Sequence, residues 1–478
     1  MATSAAVTEP LTLARLRAGY ASGALRPSEV IETVLQRIAA RGNDAVWICR
    51  VPETSLRQRA RTLDGMAPNR LPLFGVPFSV KDNIDVAGLP TTAACPDFAY
   101  MPKESATAVR RLEAAGAILV GKNNLDQFAT GLVGVRSPYG VPRNPFDADF
   151  IPGGSSSGSA VAVASGEVAF ALGTDTAGSG RVPAGFNNVV GVKPSIGLVS
   201  TAGVVPACRS LDCVSIFTLT VEDGMSVLAA TMGPDEGDPY SRPAPAGFSL
   251  AAPPAQSFSF AVPSPAGRKF FGDGEYERLF GEAVRCMESL GGRKREIDFA
   301  PFAAAAEILY SDAGVAERIA AVGDFLRDQP ASVLPVTRAI IERGRDASAA
   351  DVYRARERLM VLRARARVAL GDADCLMVPT APTQYRIAEV ERDPFTFNVN
   401  LGTYSNFVNL LDMAAIALPS GFTAAGLPFG VTLIGSAFSE PVLAGIAQKF
   451  ERAAALPLGA SRKYQLAASA EDAPRPAT

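Results

Sequence analysis

Short apolar runs alternate with helical segments from about residue 71 onward, and this alternation constrains the fold more than any other feature of the sequence. Strand-like runs stand at Phe74–Val80, Ala117–Val120 and Val168–Leu172. A helix is predicted over Ala106–Ala115, between the first two runs, and an Ala-rich helix begins near Ser157, before the third. Strands and helices in this order predict an α/β domain whose sheet is largely buried.

Further elements are predicted on both sides of this region. Residues 11–40 predict two helices, the second beginning near Pro27, which is a favourable first-turn residue. Residues 242–258 are rich in Pro, Ala and Ser and predict a surface crossing. The later elements are helices around Phe302–Leu326 and Ala349–Leu370, a strand at Cys375–Val378, a hairpin near Ala415–Ile434 and a helix over Glu440–Ala453.

The chain of 478 residues contains no histidine. Histidine is the side chain that most often serves as a general base near neutral pH. A Ser-His-Asp triad, a Cys-His dyad and a His-ligated zinc or iron site are therefore excluded. Any proton transfer has to use Lys, Asp, Glu, Tyr, Cys or water.

The charge balance indicates which classes of binding partner are excluded, and the cysteine usage indicates the cellular compartment. The 46 basic and 48 acidic residues leave a net charge of -2, with no electrostatic footprint for nucleic acid or an anionic membrane. None of the six cysteines falls in a CxxC pair, no apolar stretch is long enough to span a bilayer, and Met1–Pro10 shows no secretory signal. We therefore expect a cytoplasmic protein with reduced thiols that binds a small substrate or a protein partner.

Two Gly/Ser clusters interrupt otherwise apolar sequence, at residues 153–159 and 173–180. Such a cluster taken alone is usually a flexible loop. Each cluster here adjoins a predicted helix or strand, which favours a backbone that approaches a ligand closely and points successive N–H groups at one spot. An oxyanion hole needs that arrangement, and a serine at the end of such a turn is a candidate nucleophile.

Three segments resemble the motifs of the amidase-signature family, in the family's order. They are Gly75–Asp82, which resembles a strand ending in a lysine, the run that begins Gly153-Gly154-Ser155-Ser156, and Asp175–Ala184. The resemblance extends from about residue 12 to 455. It implies an α/β fold with a large, mostly parallel or mixed central sheet covered by helices on both faces, and it implies no cofactor and no metal.

The same resemblance implies catalytic roles for three side chains: Ser179 as the nucleophile, Ser155 as a bridging serine that follows a cis peptide bond, and Lys81 as the base. A lysine with an ordinary pKa of about 10.4 is almost fully charged at pH 7. Burial on an apolar strand disfavours the ammonium form, so it makes Lys81 a usable base. The implied oxyanion hole consists of the backbone N–H groups of Thr176, Ala177, Gly178 and Ser179.

Other polar residues resemble supporting parts of the family site. Asp175 and Arg181 resemble a structural ion pair that fixes the nucleophile turn, with direct catalysis as the alternative, and Ser156 is a predicted hydrogen-bond partner.

The segment Gly116–Asn123 nearly matches the motif of a phosphate-binding loop. It fails because it ends in Asn rather than Ser or Thr, and because its middle residues are strand-like.

Within the family, the chain most resembles the allophanate hydrolases, in the stretches 80–92, 124–131 and 178–188. This resemblance implies hydrolysis of the C–N bond of urea-1-carboxylate, a small anion, with release of ammonia. It also implies a substrate pocket with Tyr310, Arg318 and Gly131, in which Arg318 holds the carboxylate. On spacing alone, Tyr310 and Arg318 are better explained as surface residues of a helix, so their assignment depends on the resemblance.

The chain departs from the allophanate hydrolase pattern in two places, so the identity of the substrate is not decided by the resemblance. The family usually has Gly-Pro-Trp where this chain has Asp312-Ala313-Gly314, which brings a carboxylate toward the predicted pocket. The additional C-terminal domain common in allophanate hydrolases is also missing, which indicates either a shortened chain or an amidase domain alone. The alternative functions are an amidase or glutaminase that acts on another small amide, such as the glutaminase component of a tRNA-dependent amidotransferase, which shares the three motifs, and a catalytically silent scaffold.

The predicted organisation has three parts. Residues 1–65 are N-terminal helices and the candidate surface of the homodimer that the resemblance implies. Residues 66–465 form the catalytic domain, in which 242–370 is a helical insertion that shapes the substrate pocket. Residues 466–478 are rich in Ala, Pro and acidic residues and predict a disordered tail.

Overall fold

The computed structural model describes residues 9–251 and 257–461. The predicted tail, 466–478, lies outside these residues. The strands are β1 Trp47–Arg50, β2 Pro77–Lys81, β3 Ile118–Asn123, β4 Phe170–Asp175, β5 Val190–Lys193, β6 Cys213–Thr218, β7 Phe258–Pro263, β8 Gly292–Ile297, β9 Cys375–Pro379, β10 Met413–Phe422 and β11 Pro428–Ser436.

Helices fill most of the connections between these strands. The helices are α1 Leu13–Ser22, α2 Pro27–Arg41, α3 Glu53–Asp64, α4 Thr107–Ala114, α5 Ser157–Ala164, α6 Val182–Phe186, α7 Val221–Thr231, α8 Gly274–Ser289, α9 Ala300–Ile308, α10 Asp312–Asp328, α11 Pro335–Glu342, α12 Ala349–Leu370, α13 Ile387–Arg392, α14 Thr396–Leu401, α15 Phe407–Leu410 and α16 Glu440–Ala454.

All of these strands join one mixed sheet in the order β1-β3-β2-β4-β6-β5-β10-β11-β9-β7-β8. Strand β2 runs parallel to β3 and β4, and β7 runs parallel to β8 and β9, while the other neighbours are antiparallel. Every residue of β2, β3, β4 and β6 is buried. Since successive side chains point to opposite faces, burial along the whole strand means that both faces are covered. The structure confirms the predicted fold class.

The parallel strands at the centre pack through aromatic side chains. Phe78 of β2 stacks on Phe170 of β4, with ring centroids 5.1 Å apart and planes 7° apart. Both rings are fully buried. This contact fixes the two strands side by side, so the residues at their carboxyl ends also lie side by side.

The N-terminal helices pack onto this sheet within the same chain. Helix α2 begins at Pro27, as predicted, and its apolar stripe from Val30 to Ile38 is buried. The Tyr20 hydroxyl of α1 donates a hydrogen bond to the Gly75 carbonyl oxygen (2.9 Å). Strand β1 pairs with β3 at the edge of the sheet. Residues 9–64 therefore share the core and the sheet of the residues that follow.

The helical sequence predicted around 302–326 forms two helices, α9 and α10. Ser311 separates them because its hydroxyl accepts a hydrogen bond from the Gly314 N–H (3.1 Å) and so caps α10. Strands β7 and β8 fall inside 242–370, the segment predicted as a helical insertion. Within the described ranges, no helix is long and apolar enough to cross a membrane. The six cysteines are free thiols, four of them buried.

Candidate active site

Lys81 is the last residue of β2 and is completely buried. Its Nζ donates hydrogen bonds to Ser155 Oγ (2.7 Å) and to Thr174 Oγ1 (2.8 Å). Thr174 lies near the carboxyl end of β4, the parallel neighbour of β2. Because parallel strands end at the same edge of a sheet, the amine and the threonine hydroxyl meet there. Thr174 was not predicted, although it belongs to the second Gly/Ser cluster.

Burial lowers the pKa of the Lys81 amine to about 7. The carboxylates of Asp126, Asp212 and Asp175 oppose this shift, and the nearby Arg318 guanidinium adds to it. Burial lowers the pKa because the charged ammonium loses its hydration when it leaves water. A large fraction of the amine is therefore neutral near pH 7 and able to accept a proton.

Ser155 follows a cis peptide bond, Gly154–Ser155, as the resemblance implies. Neighbouring backbone fixes both residues: the Gly154 N–H donates to the Leu132 carbonyl (2.9 Å), and the Asp126 N–H donates to the Ser155 carbonyl (3.0 Å). A Cβ atom at position 154 would overlap Asp126 Oδ2. Glycine is therefore required beside the serine, because only a residue without a side chain permits this close approach.

Ser156, predicted as a supporting hydrogen-bond partner, contacts the backbone of Thr174. Its hydroxyl donates to the Thr174 carbonyl (3.1 Å) and accepts from the Thr174 N–H (3.4 Å). The Asn83 side chain donates to Thr174 Oγ1 (3.2 Å). Thr174 is thus held from two sides while it contacts Lys81.

The turn that carries Ser179 is fixed by the predicted ion pair. Arg181 Nε and Nη2 donate to the two carboxylate oxygens of Asp175, each at 2.9 Å, and both side chains are buried. Burial raises the pKa of Asp175, but Arg181, Lys193 and the Gly180 N–H together more than offset that effect, so the pKa falls below its ordinary value. The same carboxylate accepts from the N–H groups of Gly178 (2.8 Å) and Gly180 (2.9 Å).

A second brace on this turn comes from the C-terminal half of the chain. The Asn409 side-chain amide donates to the Asp175 carbonyl (2.8 Å) and to the Leu211 carbonyl (2.9 Å). Arg181 also donates to the Ser405 carbonyl (3.1 Å). The turn therefore depends on residues that lie more than 200 positions away in the sequence.

The backbone around Ser179 contains the N–H groups that are predicted to form the oxyanion hole. Since the Gly178 N–H donates to Asp175, it is already occupied. The Thr176 hydroxyl donates to the Asp212 carboxylate, whose pKa burial raises to about 6. The N–H groups of Thr176, Ala177 and Ser179 remain the predicted donors. Ser179 itself is 2% exposed, and its role as nucleophile stays a prediction.

Of the three predicted pocket residues, Arg318 bonds to the segment that contains Gly131, and Tyr310 influences the Arg318 guanidinium electrostatically. Arg318 of α10 is buried, and its Nη1 donates to Thr130 Oγ1 (2.8 Å). Burial alone would lower the Arg318 pKa, but its neighbours, Tyr310 among them, raise it, so the guanidinium stays charged. Gly131 packs against the side chains of Asp126 and Arg136. Arg318 is therefore not the surface residue that helical spacing alone suggests.

Several residues of this region were missed by sequence reasoning. They are polar side chains that become buried neighbours of the predicted set through chain segments distant in sequence. The available signal was polar residues inside otherwise apolar runs that adjoin the motifs. The missed residues are Asn83, Asp126, Thr130, Arg136, Thr174 and Asp212.

Asp312, the carboxylate that departs from the expected pattern, is half exposed and pairs with Arg343 (2.7 Å). It is therefore neutralised at the surface. Gly314 sits where a Cβ atom would overlap the Ile308 carbonyl oxygen, so glycine permits the tight start of α10. The departure at 312–314 thus leaves the Arg318 guanidinium with its charge available.

The near-match to a phosphate-binding loop lies on β3. Its lysine, Lys122, is buried and pairs with Asp82 (3.0 Å), and it donates to the Pro90 carbonyl (2.9 Å). This lysine is therefore part of the sheet core.

The sequence model of the amidase family matches residues 29–443. The chain belongs to the amidase family. Among its relatives, a urea amidolyase of Lachancea kluyveri is 45% identical over 415 residues, which are 86% of this chain and 22% of that protein. The chain thus spans less than a quarter of that relative. A glutamyl-tRNA(Gln) amidotransferase component from Symbiobacterium thermophilum is 36% identical over 92% of this chain and 96% of its own length.

The amidase fold is shared with solved structures. An allophanate hydrolase of Kluyveromyces lactis superposes with a TM-score of 0.89 at 39% identity, over 95% of this chain and 76% of that one. Family membership confirms the predicted resemblance, the predicted fold and the class of an enzyme acting on amides.

Proposed function

We propose that this amidase hydrolyses the C–N bond of allophanate, urea-1-carboxylate, and releases ammonia through a serine acyl-enzyme. The observation that carries the proposal is the buried Lys81 amine, with a pKa of about 7, at 2.7 Å from Ser155 Oγ. In its neutral form the Lys81 amine can accept the Ser155 hydroxyl proton across this contact, so it can act as a base in a chain without histidine.

The first chemical step is attack by Ser179 Oγ on the substrate carbonyl. The Ser179 proton passes to Ser155 Oγ while the Ser155 proton passes to Lys81 Nζ, so the Ser155 hydroxyl relays a proton from the nucleophile to the base. The negative charge that develops on the carbonyl oxygen is stabilised by the backbone N–H groups of Thr176, Ala177 and Ser179.

The intermediate then collapses. The C–N bond breaks, the proton on Lys81 returns through Ser155 to the leaving nitrogen, and ammonia departs. A water molecule attacks the acyl-enzyme with the same proton relay and regenerates Ser179. Each proton taken up by Lys81 is returned within the same half-reaction, so no further acid is needed.

The choice of a carboxylate-bearing substrate is supported by Arg318. It is a buried, charged guanidinium, and none of the described carboxylates lies within ion-pair distance of it. A buried charge without a partner is costly, so a substrate anion supplies the missing charge. Similarity to a urea amidolyase and to an allophanate hydrolase agrees with this substrate.

The second candidate is the glutaminase component of a tRNA-dependent amidotransferase. The amidotransferase relative from Symbiobacterium thermophilum matches 92% of this chain and 96% of its own length, which favours a shared whole-chain architecture. In this second candidate, the chain acts on glutamine only together with partner proteins.

Ammonia release by the purified chain separates the two candidates. We expect turnover of allophanate by the chain alone and none of glutamine. The variant Ser179→Ala should lose turnover and fail to accumulate an acyl adduct by mass spectrometry. The control is Ser289→Ala, at an exposed serine at the end of α8, which should keep full activity. If the chain turns over glutamine, and does so only when partner proteins are added, allophanate hydrolysis is wrong and the second candidate is favoured.

We also propose a cytoplasmic homodimer. The apolar stripe of α2 is buried within its own chain, so the dimer has to use the outward faces of the N-terminal helices. Sedimentation equilibrium of the purified chain tests the stoichiometry. A monomer at micromolar concentration would reject the dimer.

A further inference from the structure

The Thr130 hydroxyl lies between Arg318 and a backbone carbonyl. Its Oγ1 accepts from Arg318 Nη1 (2.8 Å) and donates to the Phe128 carbonyl oxygen (3.2 Å). Thr130 and Arg318 are both buried. A hydroxyl has one proton to donate, so its bond to Phe128 leaves an oxygen lone pair directed at the guanidinium. The hydroxyl therefore fixes one end of Arg318.

The backbone of Thr130 is itself fixed by a second buried arginine. Arg136 Nη1 donates to the Thr130 carbonyl (2.9 Å), and Arg136 Nη2 donates to the Pro394 carbonyl (2.6 Å). The Arg136 N–H donates to Asp126 Oδ1 (2.9 Å). Thr130 is thus held on both its main chain and its side chain, and it can impose an orientation on Arg318.

The opposite edge of the Arg318 guanidinium is open. Its Nε is buried without a hydrogen-bond partner. Across residues 9–251 and 257–461, the bond to Thr130 is the one hydrogen bond that the Arg318 side chain makes. The Nε–Nη2 edge therefore presents two parallel N–H groups, which match the two oxygens of a carboxylate.

The neighbouring acids do not close this edge, because each is occupied. Glu317 accepts from the N–H and the hydroxyl of Ser210, both at 2.7 Å. Asp212 accepts from Thr176 and from the N–H groups of Ala207 (2.9 Å) and Cys208 (3.2 Å). A buried N–H without a partner is costly, so the open edge points to a ligand that is absent from the protein itself.

We propose that Thr130 is a positioning residue that turns the Nε–Nη2 edge of Arg318 toward the substrate carboxylate. By doing so it sets the preference of the enzyme for carboxylate-bearing amides over neutral amides of the same shape. This inference rests on the proposed function, in which Arg318 binds the carboxylate.

The test compares malonamate with malonamide, its neutral counterpart, in Thr130→Val, which keeps the shape but removes the hydroxyl. A hydrogen bond to a charged group contributes enough that its loss changes affinity by about tenfold or more. We expect the KM for malonamate to rise about tenfold while kcat changes less than threefold. Both constants for malonamide should stay at the wild-type values. Thr130→Ser, the matched control, keeps the hydroxyl and should restore the malonamate KM.

The malonamide rate also reports whether the variant is folded. If Thr130→Val loses it, the smaller Thr130→Ala takes its place in the same comparison. In the variant that keeps malonamide turnover, a malonamate KM that does not move, or a malonamide KM that rises as far as the malonamate KM, would overturn the role of Thr130.

Arg318→Met distinguishes the failure of this inference from the failure of the proposed function. If Arg318→Met raises the malonamate KM and Thr130→Val does not, the positioning role alone is wrong. If Arg318→Met leaves the malonamate KM unchanged, the carboxylate assignment is wrong, and the role of Thr130 falls with it.

Discussion

Lys81 illustrates at the scale of one residue how burial changes the chemistry of an amine. In water the lysine amine is protonated and positively charged at every physiological pH. At the end of β2 its pKa falls to about 7, and its amine contacts two hydroxyl groups that were brought there by other chain segments. The proposed role of Lys81 as a base, in place of a histidine imidazole, therefore depends on the sheet around it.

The first prediction concerns the pH dependence of turnover. Because the base must be neutral, kcat/KM should rise with pH through about 7 and level off above about 8. Initial rates with allophanate between about pH 5.5 and 10 at constant ionic strength measure this profile. A rate that rises steadily to pH 10 would contradict a base with a lowered pKa.

The second prediction concerns stability. The unfolded chain holds the Lys81 proton up to the ordinary pKa of 10.5, whereas the folded chain releases it near 7. The unfolded state therefore binds more protons between these values, so the stability of the wild type rises with pH across this range. Below about pH 7 both states hold the proton, so the folded state carries the full free-energy cost of a buried ammonium.

Lys81→Met removes that cost and two hydrogen bonds. At pH 7 we expect inactive protein that is more stable by roughly 2 kcal/mol, with the difference shrinking toward pH 10. Urea unfolding of both proteins at pH 7 and 9.5 measures it. A variant less stable than the wild type at pH 7 would show that the amine contributes more through its contacts than burial costs.

At the scale of an element, the turn after β4 is held by a buried ion pair and by Asn409. Asp175→Asn leaves Arg181 without its countercharge in the core. We expect a loss of about 3–5 kcal/mol in the free energy of unfolding. Asp324→Asn is the matched control, since Asp324 is 91% exposed and pairs with Arg327 at the surface. It should change stability by less than about 1 kcal/mol. Similar values for both variants would mean that the buried pair does not stabilise the turn.

The elements whose signals are local are predictable from the sequence. Helix α2 begins at Pro27, and Lys81 ends a buried strand, because hydrophobic periodicity and punctuation by Pro and Gly mark such elements within a few residues. Ser155, Asp175 and Arg181 could be selected as candidates because their motifs are contiguous. Thr174 and Thr130 were not found, since their roles arise from contacts with Lys81, 93 residues away, and with Arg318, 188 residues away.

At the scale of the whole molecule, one sheet joins the N-terminal helices to the region that carries the site. Strand β1 pairs with β3, and the Leu13 N–H donates to Asp223 (3.1 Å). Arg37 donates to the Gly166 carbonyl (2.7 Å). The predicted boundary at residue 65 therefore crosses a shared sheet and shared hydrogen bonds.

A chain that begins at residue 66 should not fold on its own. Its edge strand β3 loses a partner, and the surface that packs against α1 and α2 becomes exposed. We expect insoluble protein, or soluble protein without a cooperative thermal transition. Removal of residues 466–478 is the control and should leave the transition temperature unchanged. A soluble, cooperative fragment from residue 66 would establish an independent catalytic domain.

The position of Asn409 in the chain also sets an order of events on the ribosome. All three proposed catalytic side chains are synthesised by residue 179, yet the amide that holds the Asp175 carbonyl arrives 234 residues after it. A nascent chain thus contains the three proposed catalytic side chains long before it contains Asn409. Chains stalled just short of Asn409 should release no ammonia and should become active when elongation resumes. Turnover by the stalled chain would show that the first half of the sheet assembles a working site unaided.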